Sequence, residues 1–241
     1  LLHGLGADSG QVVAALPAPV GYRCLYPDMP GHGRTPPTTA GFQHFADLVR
    51  ALMDRRGIAR AVLGGISMGA ALSLRIALDA PERIAGLILI RPAWLDGPAL
   101  PHLGIVSRVG RWQRERPEDA AARLDTDPEY QAIARTNPAA AQSVSGLLTR
   151  PQAREAAAVL DAMIEDRPLR TLGELAELRC KSLIVANEND PLHPVAIART
   201  LADRLPDAQF RLIPSRYRSP AEHVTALRAA VLQFLNLVGA Y

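Results

Sequence analysis

The most informative segment of this chain is Ala61–Gly69, which reads Ala-Val-Leu-Gly-Gly-Ile-Ser-Met-Gly. It opens on an apolar run typical of a buried strand, and a helix is predicted to follow until about Ala80. A tight turn between the two would raise Ser67 above the carboxyl edge of a sheet. Such a turn requires tiny residues on either side, here Gly65 and Gly69. The segment therefore predicts that Ser67 is a nucleophile; the alternative is a glycine-rich turn with an incidental serine.

Strands and helices alternate on both sides of this segment. The predicted strands are Leu1–Leu2, Tyr22–Tyr26, Ala61–Gly65, Leu87–Ile90, Ser182–Ala186 and Gln209–Ile213. The predicted helices are Phe42–Arg56, Met68–Ala80, Val195–Arg204 and Ala221–Leu237. This alternation indicates an α/β fold with a mostly parallel sheet and helices on both faces. Because the chain opens on an apolar pair without an initiator methionine, we expect N-terminal strands to be missing from it.

The alternation is interrupted between about Ala93 and Arg179, where the sequence is helical, charged and rich in proline. Short amphipathic helices are predicted over Pro117–Arg123 and Gln152–Ile164. We therefore divide the chain into a core, residues 1–92 and 180–241, and a helical cap, residues 93–179. We expect the cap to form a lid over one end of the sheet; the alternative is surface decoration.

Composition excludes several function classes. The chain has 241 residues, of which 48% are hydrophobic and 21% charged, an ordinary globular balance. Its 27 Lys and Arg against 24 Asp and Glu leave a net charge of +3 with no dense basic run, so nucleic acid is not implied. The uncharged stretch Ala61–Leu74 is shorter than the roughly 20 apolar residues of a membrane span. Cys24 and Cys180 suggest neither a disulfide framework nor a metal site, so we expect a cytoplasmic protein without a cofactor.

Three segments together resemble the α/β-hydrolase superfamily. Gly65–Gly69 resembles its nucleophile elbow, His3–Gly6 its HG turn, and Asp28–Thr35 its D-x-P-G-H-G-x-S/T loop. The resemblance implies that the backbone N–H groups of Leu5 and Met68 form an oxyanion hole. It also implies that His3 and His32 support these loops and are not bases.

The catalytic acid and base follow less directly from the resemblance. The segment Asn187–Pro194 resembles the family's G-x-x-D-x-x-x-P loop, with Asn187 in place of the glycine, and implies that Asp190 is the acid. The alternative is an Asp-Pro turn without a catalytic role, and Asp96 is a reserve candidate. The family's Gly-His pair would fall on Tyr217-Arg218, and arginine cannot act as a general base. His223 is the nearest histidine, so it is either the base or a structural residue of the last helix, which would leave the triad incomplete.

These residues predict a serine hydrolase that acts on a small ester, thioester or related acyl substrate. In this hypothesis Ser67 attacks, His223 moves the proton and Asp190 orients the imidazole. Two alternatives stay open: a small-molecule binding protein that has lost its base, and a lyase or C–C bond enzyme on the same scaffold. The cap arginines are interpreted as solvated or, alternatively, as contacts for a substrate carboxylate; they are Arg108, Arg111, Arg114 and Arg116.

A dinucleotide site at Gly4–Gly10 is disfavoured. Its third glycine lies one place late for the dinucleotide fingerprint, and Pro17 and Pro19 follow soon after. The oligomeric state and the acyl chain length do not follow from the sequence.

Overall fold

The computed structural model describes residues 1–38, 40–97 and 100–239. Positions 39 and 240–241 of the predicted core and positions 98–99 of the predicted cap therefore lie outside the described residues. Within the described part, four parallel strands form one sheet in the order β1-β2-β3-β4. They are β1 Ala61–Ile66, β2 Ile84–Ile90, β3 Ser182–Asn187 and β4 Ala208–Ile213.

The register brings the carboxyl ends of the first three strands to one edge of the sheet. Ile66 pairs with Ile90, and Ile90 pairs with Val185. The residue after each strand continues the pairing, because Ser67 N–H donates to Ile90 O at 2.9 Å and Arg91 N–H donates to Val185 O at 2.7 Å. The segments that follow β1, β2 and β3 therefore meet at this edge, the usual location of ligand sites in such sheets.

Helices cover both faces of the sheet because its strands are apolar on both sides. All seven residues of β2 are buried. Leu87 and Leu89 pack in a cluster with α2 and α3, whereas Ile88 and Ile90 pack in a second cluster with α1 and α10. The helices of the core are α1 Ser9–Ala15, α2 Phe42–Arg55, α3 Met68–Asp79, α9 Val195–Arg204 and α10 Pro220–Val238.

The segment between β2 and β3 contains helices and turns but no strand in its described part. The five helices are α4 Gly104–Glu115, α5 Ala120–Thr126, α6 Pro128–Thr136, α7 Pro138–Ser145 and α8 Ala157–Glu165. Their apolar residues belong to the same cluster as α2 and α3. The indole N–H of Trp94, just after β2, donates to Met163 O in α8 at 3.0 Å. The segment is thus packed on the core, and its action as a lid stays a prediction.

Several predicted elements differ from those observed. Tyr22–Tyr26 forms no strand, because the Leu1 amino group gives it a single hydrogen bond, to Leu25 O at 2.7 Å, which is too little for a ladder. Leu2 forms one isolated bridge, to Gly65. The helix expected to begin at Gln152 begins at Ala157, because turns occupy the positions before it and Gln152 has a φ of 57°.

Two further differences concern short helices. The helix expected over Pro117–Arg123 lies at Ala120–Thr126. Helix α1 was not predicted; Asp8 begins it by accepting a hydrogen bond from Gly10 N–H at 2.9 Å. In the residues that the structure describes, no helix combines the length and the apolar character needed to cross a membrane.

Candidate active site

Ser67 lies at the turn between β1 and α3. Its φ of 56° and ψ of −110° are strained for a residue with a side chain. The strain is tolerated because the backbone around it is packed closely: a Cβ on Gly65 would lie 2.7 Å from the carbonyl carbon of Gly69 and would collide with Leu2 O. A Cβ on Gly69 would also collide with Leu2 O. Both glycines are therefore required by close approach, and together they fix the serine at the sheet edge.

An imidazole reaches this serine from the loop after β3. His193 Nε2 lies 2.9 Å from Ser67 Oγ, a hydrogen-bond distance. On the other side of the ring, His193 Nδ1 lies 3.0 Å from Asp190 Oδ2. The structure thus brings serine, imidazole and carboxylate into one line, the arrangement that nucleophilic catalysis by serine requires.

The acid and the imidazole belong to one turn. His193 N–H donates to Asp190 O at 3.3 Å, which folds the loop so that residues three apart face each other. Asp190 Oδ1 accepts from Leu192 N–H at 3.1 Å, which leaves Oδ2 to face the ring. Nδ1 and Oδ2 are close but do not form a well-aligned hydrogen bond. Their interaction is therefore chiefly electrostatic and becomes strongest when the imidazole is protonated.

The structure places His223, the base expected from sequence, elsewhere. Its Nδ1 hydrogen bonds to Pro214 O at 2.9 Å, which ties the first turn of α10 to the loop after β4. Among the described residues, the hydrogen-bond partner of Ser67 Oγ is His193 and not His223. Arg218, where the family's histidine was expected, is exposed. We therefore replace His223 by His193 as the candidate base.

The signal for His193 was present in the sequence as Asp190-Pro191-Leu192-His193. The resemblance instead implied a histidine in the segment after the last strand, so His193 was not predicted. The reserve acid, Asp96, is not at the site: its Oδ2 accepts from Leu172 N–H at 3.0 Å and joins the two ends of the cap segment.

The two expected oxyanion donors flank Ser67. Leu5 lies in the turn that follows His3, and a Cβ built on Gly4 would be 3.5 Å from Ser67 Cβ. Met68 is the first residue of α3. Neither backbone N–H donates to another described residue. Both are thus available to a tetrahedral oxyanion, and their role stays a prediction until it is tested.

Two buried histidines hold the turn that carries Leu5. His32 Nε2 accepts from Gly6 N–H at 3.0 Å, and its Nδ1 lies 3.0 Å from Pro30 O. His3 Nε2 accepts from Met29 N–H at 2.9 Å. Burial, with the nearby charges of His3 and Arg150, lowers the pKa of His32 to about 3. Both rings therefore act as neutral hydrogen-bonding groups, consistent with the supporting role expected from sequence.

A buried cation lies behind the acid. Arg91 follows β2 with a φ of 47°, is 5% exposed, and places Nη1 3.6 Å from Asp190 Oδ2. Burial raises the pKa of Asp190, but His193 and Arg91 outweigh it and the net shift is downward. Burial lowers the pKa of His193, and Arg91 and Arg216 lower it further against the opposing effect of Asp190. At neutral pH the carboxylate is therefore ionised and the imidazole is neutral, as a general base must be.

Comparison with known proteins identifies the family. The family model for the alpha/beta hydrolase fold matches residues 1–220. The chain belongs to the α/β-hydrolase fold family. The esterase from Thermogutta terrifontis, in its malate-bound structure, superimposes on this α/β hydrolase with a TM-score of 0.73 at 26% identity, over 98% of this chain and 88% of that one.

Curated relatives of this α/β hydrolase have several activities. It is 32% identical to a pimeloyl-acyl-carrier-protein methyl ester esterase of Aromatoleum aromaticum, over 87% of this chain and 86% of the relative. It is 26% identical to a 2-hydroxy-6-oxo-6-phenylhexa-2,4-dienoate hydrolase of Burkholderia cepacia, over 98% and 86%. A dihydrolipoyllysine-residue acetyltransferase component of Cupriavidus necator is 35% identical over 38% of this chain, which spans only 25% of that relative.

Three of the four cap arginines considered as substrate contacts form ion pairs with carboxylates of the cap. Arg108 contacts Asp127 and Glu129 at 2.9 and 2.8 Å, Arg114 contacts Asp161 at 2.9 Å, and Arg116 contacts Asp119 at 3.0 Å. Arg111 is exposed. Pairing within the cap, which the sequence did not predict, therefore accounts for three of these arginines, and the solvated interpretation suits Arg111.

A cavity in the core lies apart from the candidate catalytic residues. A cavity of about 510 Å³ opens beside β1 between Leu2, Met53 and Val231, and Ser67, Asp190 and His193 do not line it. Across the described ranges, no group of three or more His, Cys, Asp or Glu side chains has the arrangement of a metal site.

Proposed function

We propose that this α/β hydrolase cleaves a small ester, thioester or related acyl substrate through an acyl-enzyme. The observation that carries the proposal is the 2.9 Å contact of His193 Nε2 with Ser67 Oγ, with Asp190 Oδ2 at 3.0 Å behind the ring. A serine hydroxyl is a weak nucleophile by itself, and a neutral imidazole at this distance activates it.

The proposed reaction has two halves. His193 Nε2 takes the hydroxyl proton while Ser67 Oγ attacks the carbonyl carbon, and the Leu5 and Met68 N–H groups bind the resulting oxyanion. The imidazolium, stabilised by Asp190, returns the proton to the leaving alcohol or thiol as the acyl-enzyme forms. Water, activated by the same imidazole, then attacks the acyl carbon, and the proton returns to Ser67 Oγ as the carboxylic acid departs.

The two histidine candidates provide a matched test. With p-nitrophenyl acetate and butyrate, we expect Ser67→Ala and His193→Ala to lower kcat/KM by at least about 1,000-fold. His223→Ala should retain activity within about 10-fold, since its ring hydrogen bonds to Pro214 O and not to Ser67. Equal rates for the wild type and Ser67→Ala would overturn the proposal; loss of activity in His223→Ala, but not in His193→Ala, would return the base to His223.

A C–C bond hydrolase is the second candidate. The match to the Burkholderia cepacia dienoate hydrolase, which covers 98% of this chain, favours it. Rates with 2-hydroxy-6-oxo-6-phenylhexa-2,4-dienoate and with p-nitrophenyl esters, measured at equal enzyme concentration, separate a C–C bond hydrolase from an esterase. The binding-protein alternative requires a serine without a base, and the 2.9 Å contact of His193 with Ser67 favours the enzyme over it.

The proposal extends to partners and location. The partner is a small-molecule acyl substrate, with no cofactor in the reaction. Cys24 and Cys180 are free thiols, which fits the cytoplasmic location expected from sequence.

A further inference from the structure

Among the described cap arginines, Arg150 is the one whose guanidinium has nitrogens that are enclosed and without a hydrogen-bond partner. It lies in the turn before α8, and its Nε and Nη1 atoms are inaccessible to solvent and have no hydrogen-bond partner. Its Nη2 makes one long contact, 3.4 Å from Ala156 O. No described carboxylate forms an ion pair with it, whereas Arg108, Arg114 and Arg116 each have one. Burial of this unpaired cation lowers its pKa to about 10.

This guanidinium lies at the turn that carries the predicted oxyanion donor. A Cβ built on Gly6 would be 3.3 Å from Arg150 Nη1, and one built on Gly4 would be 3.5 Å from Ser67 Cβ. The Cα atoms of Gly4 and Gly6 are two positions apart and so at most about 7 Å from each other. Arg150 and Ser67 therefore lie on either side of the same short turn. The Arg150 charge also lowers the pKa of His3 and of His32, whose rings support that turn.

A buried guanidinium without an anion is costly, because its N–H groups have lost water and gained no acceptor. The cap carboxylates that form ion pairs in the described residues, Asp119, Asp127, Glu129 and Asp161, pair with other arginines and not with this one. An anion carried by the substrate would supply the missing acceptors, and arginine presents a planar pair of donors suited to a carboxylate. The residue as a whole is only partly buried.

We propose that Arg150 binds a carboxylate of the substrate, and that the preferred substrates are esters or thioesters carrying a second, ionised carboxyl group a few carbons from the scissile bond. This inference rests on the proposed function and deepens it. It assigns a specificity role to a cap residue that the sequence motifs did not indicate.

The first test compares matched substrates. The p-nitrophenyl monoester of glutaric acid carries the carboxylate and p-nitrophenyl butyrate lacks it. We expect the wild type to prefer the glutarate monoester, and Arg150→Gln to lower kcat/KM for it about 10- to 100-fold with little change for the butyrate. Arg150→Lys should recover part of the loss. Arg154→Gln, which removes an exposed cation from the same segment, should leave the ratio of the two substrates unchanged.

The outcomes separate this inference from the proposed function. If Ser67→Ala abolishes turnover but Arg150→Gln leaves the substrate ratio unchanged, the carboxylate site is wrong and the hydrolase stands. If Ser67→Ala retains turnover, the hydrolase proposal fails.

Calorimetric titration of the inactive Ser67→Ala protein with monomethyl glutarate supplies a readout that needs no turnover. We expect binding that weakens about 10-fold or more on adding Arg150→Gln but not on adding Arg154→Gln. Equal binding in both double variants, or no binding in Ser67→Ala alone, would overturn the inference.

Discussion

Ser67 and His193 reach their contact by different routes. Ser67 is positioned by its immediate neighbours, because Gly65 and Gly69 allow the backbone to close against Leu2 O. His193 is positioned by the turn it shares with Asp190 and by the pairing of β1 with β2 and β2 with β3, which sets the two loops side by side. The base and the acid are therefore local to each other, and only their approach to the serine depends on the sheet.

Arg91 is the residue whose charge we expect to set the pH range of activity. It follows β2, the strand between the serine and the acid, and faces Asp190 at 3.6 Å. Its positive charge disfavours protonation of His193, so Arg91→Met should raise the pKa of His193. We expect the acid limb of the kcat/KM profile to move to higher pH.

The control for this prediction is Arg111→Met, which removes an exposed arginine from α4. Its pH profile should match that of the wild type. A shift of the Arg91→Met profile to lower pH would contradict the prediction that the Arg91 charge lowers the pKa of His193.

At the scale of elements, the loop Asp28–Thr35 holds α1 and the turn at Leu5 together. Asp28 Oδ1 accepts from Ser9 N–H at 2.7 Å, its Oδ2 accepts from Arg34 N–H at 3.3 Å, and Thr35 Oγ1 donates to Asp28 O at 2.9 Å. The Asp28 carboxylate thus joins the start of α1 to the loop Asp28–Thr35. An aspartate suits this position because its two oxygens can accept from both backbone N–H groups.

Removing that carboxylate should loosen the two elements together. We expect Asp28→Ala to lower the free energy of unfolding by about 1–3 kcal/mol, because two backbone N–H groups lose their acceptor. Urea denaturation followed by circular dichroism measures the change. Asp203→Ala, at an exposed site in α9, should alter it by less than about 0.5 kcal/mol.

At the scale of the whole molecule, buried neutral histidines make stability depend on pH. The pKa of His32 falls to about 3 in the fold, whereas an unfolded histidine titrates near its ordinary value of about 6.5. The unfolded state therefore binds more protons between these values, and stability is fully present above about pH 6.5 and falls as the pH drops towards 3. The depressed pKa of Asp190 acts in the same direction but only in stronger acid.

We therefore expect the free energy of unfolding to fall by about 2–3 kcal/mol for His32 alone between pH 7 and pH 4.5. Urea denaturation at the two pH values measures it. His32→Asn should be less stable at pH 7 but lose less on acidification, whereas His44→Asn, at an exposed site, should keep the wild-type dependence. An unchanged pH dependence in His32→Asn would contradict the assignment of a neutral buried ring.

Much of the architecture was predictable because it is encoded locally. Apolar runs of strand length predicted the positions of β1, β2, β3 and β4 within a few residues. Apolar residues at helical spacing and the residues that end helices did the same for α2, α3, α9 and α10. Tyr22–Tyr26 was predicted wrongly as a strand because a strand also needs a neighbour, and apolar character alone does not supply one.

The sequence by itself determined the family, the strained serine and the carboxylate in the loop after β3, since each is written in residues adjacent along the chain. The tertiary structure decided which imidazole meets the serine, which cation faces the acid and which cap arginine is enclosed without an acceptor. These depend on distances between segments far apart in sequence: 126 positions separate Ser67 from His193. Such distances are set by the packing of strands and cap, which no local pattern records.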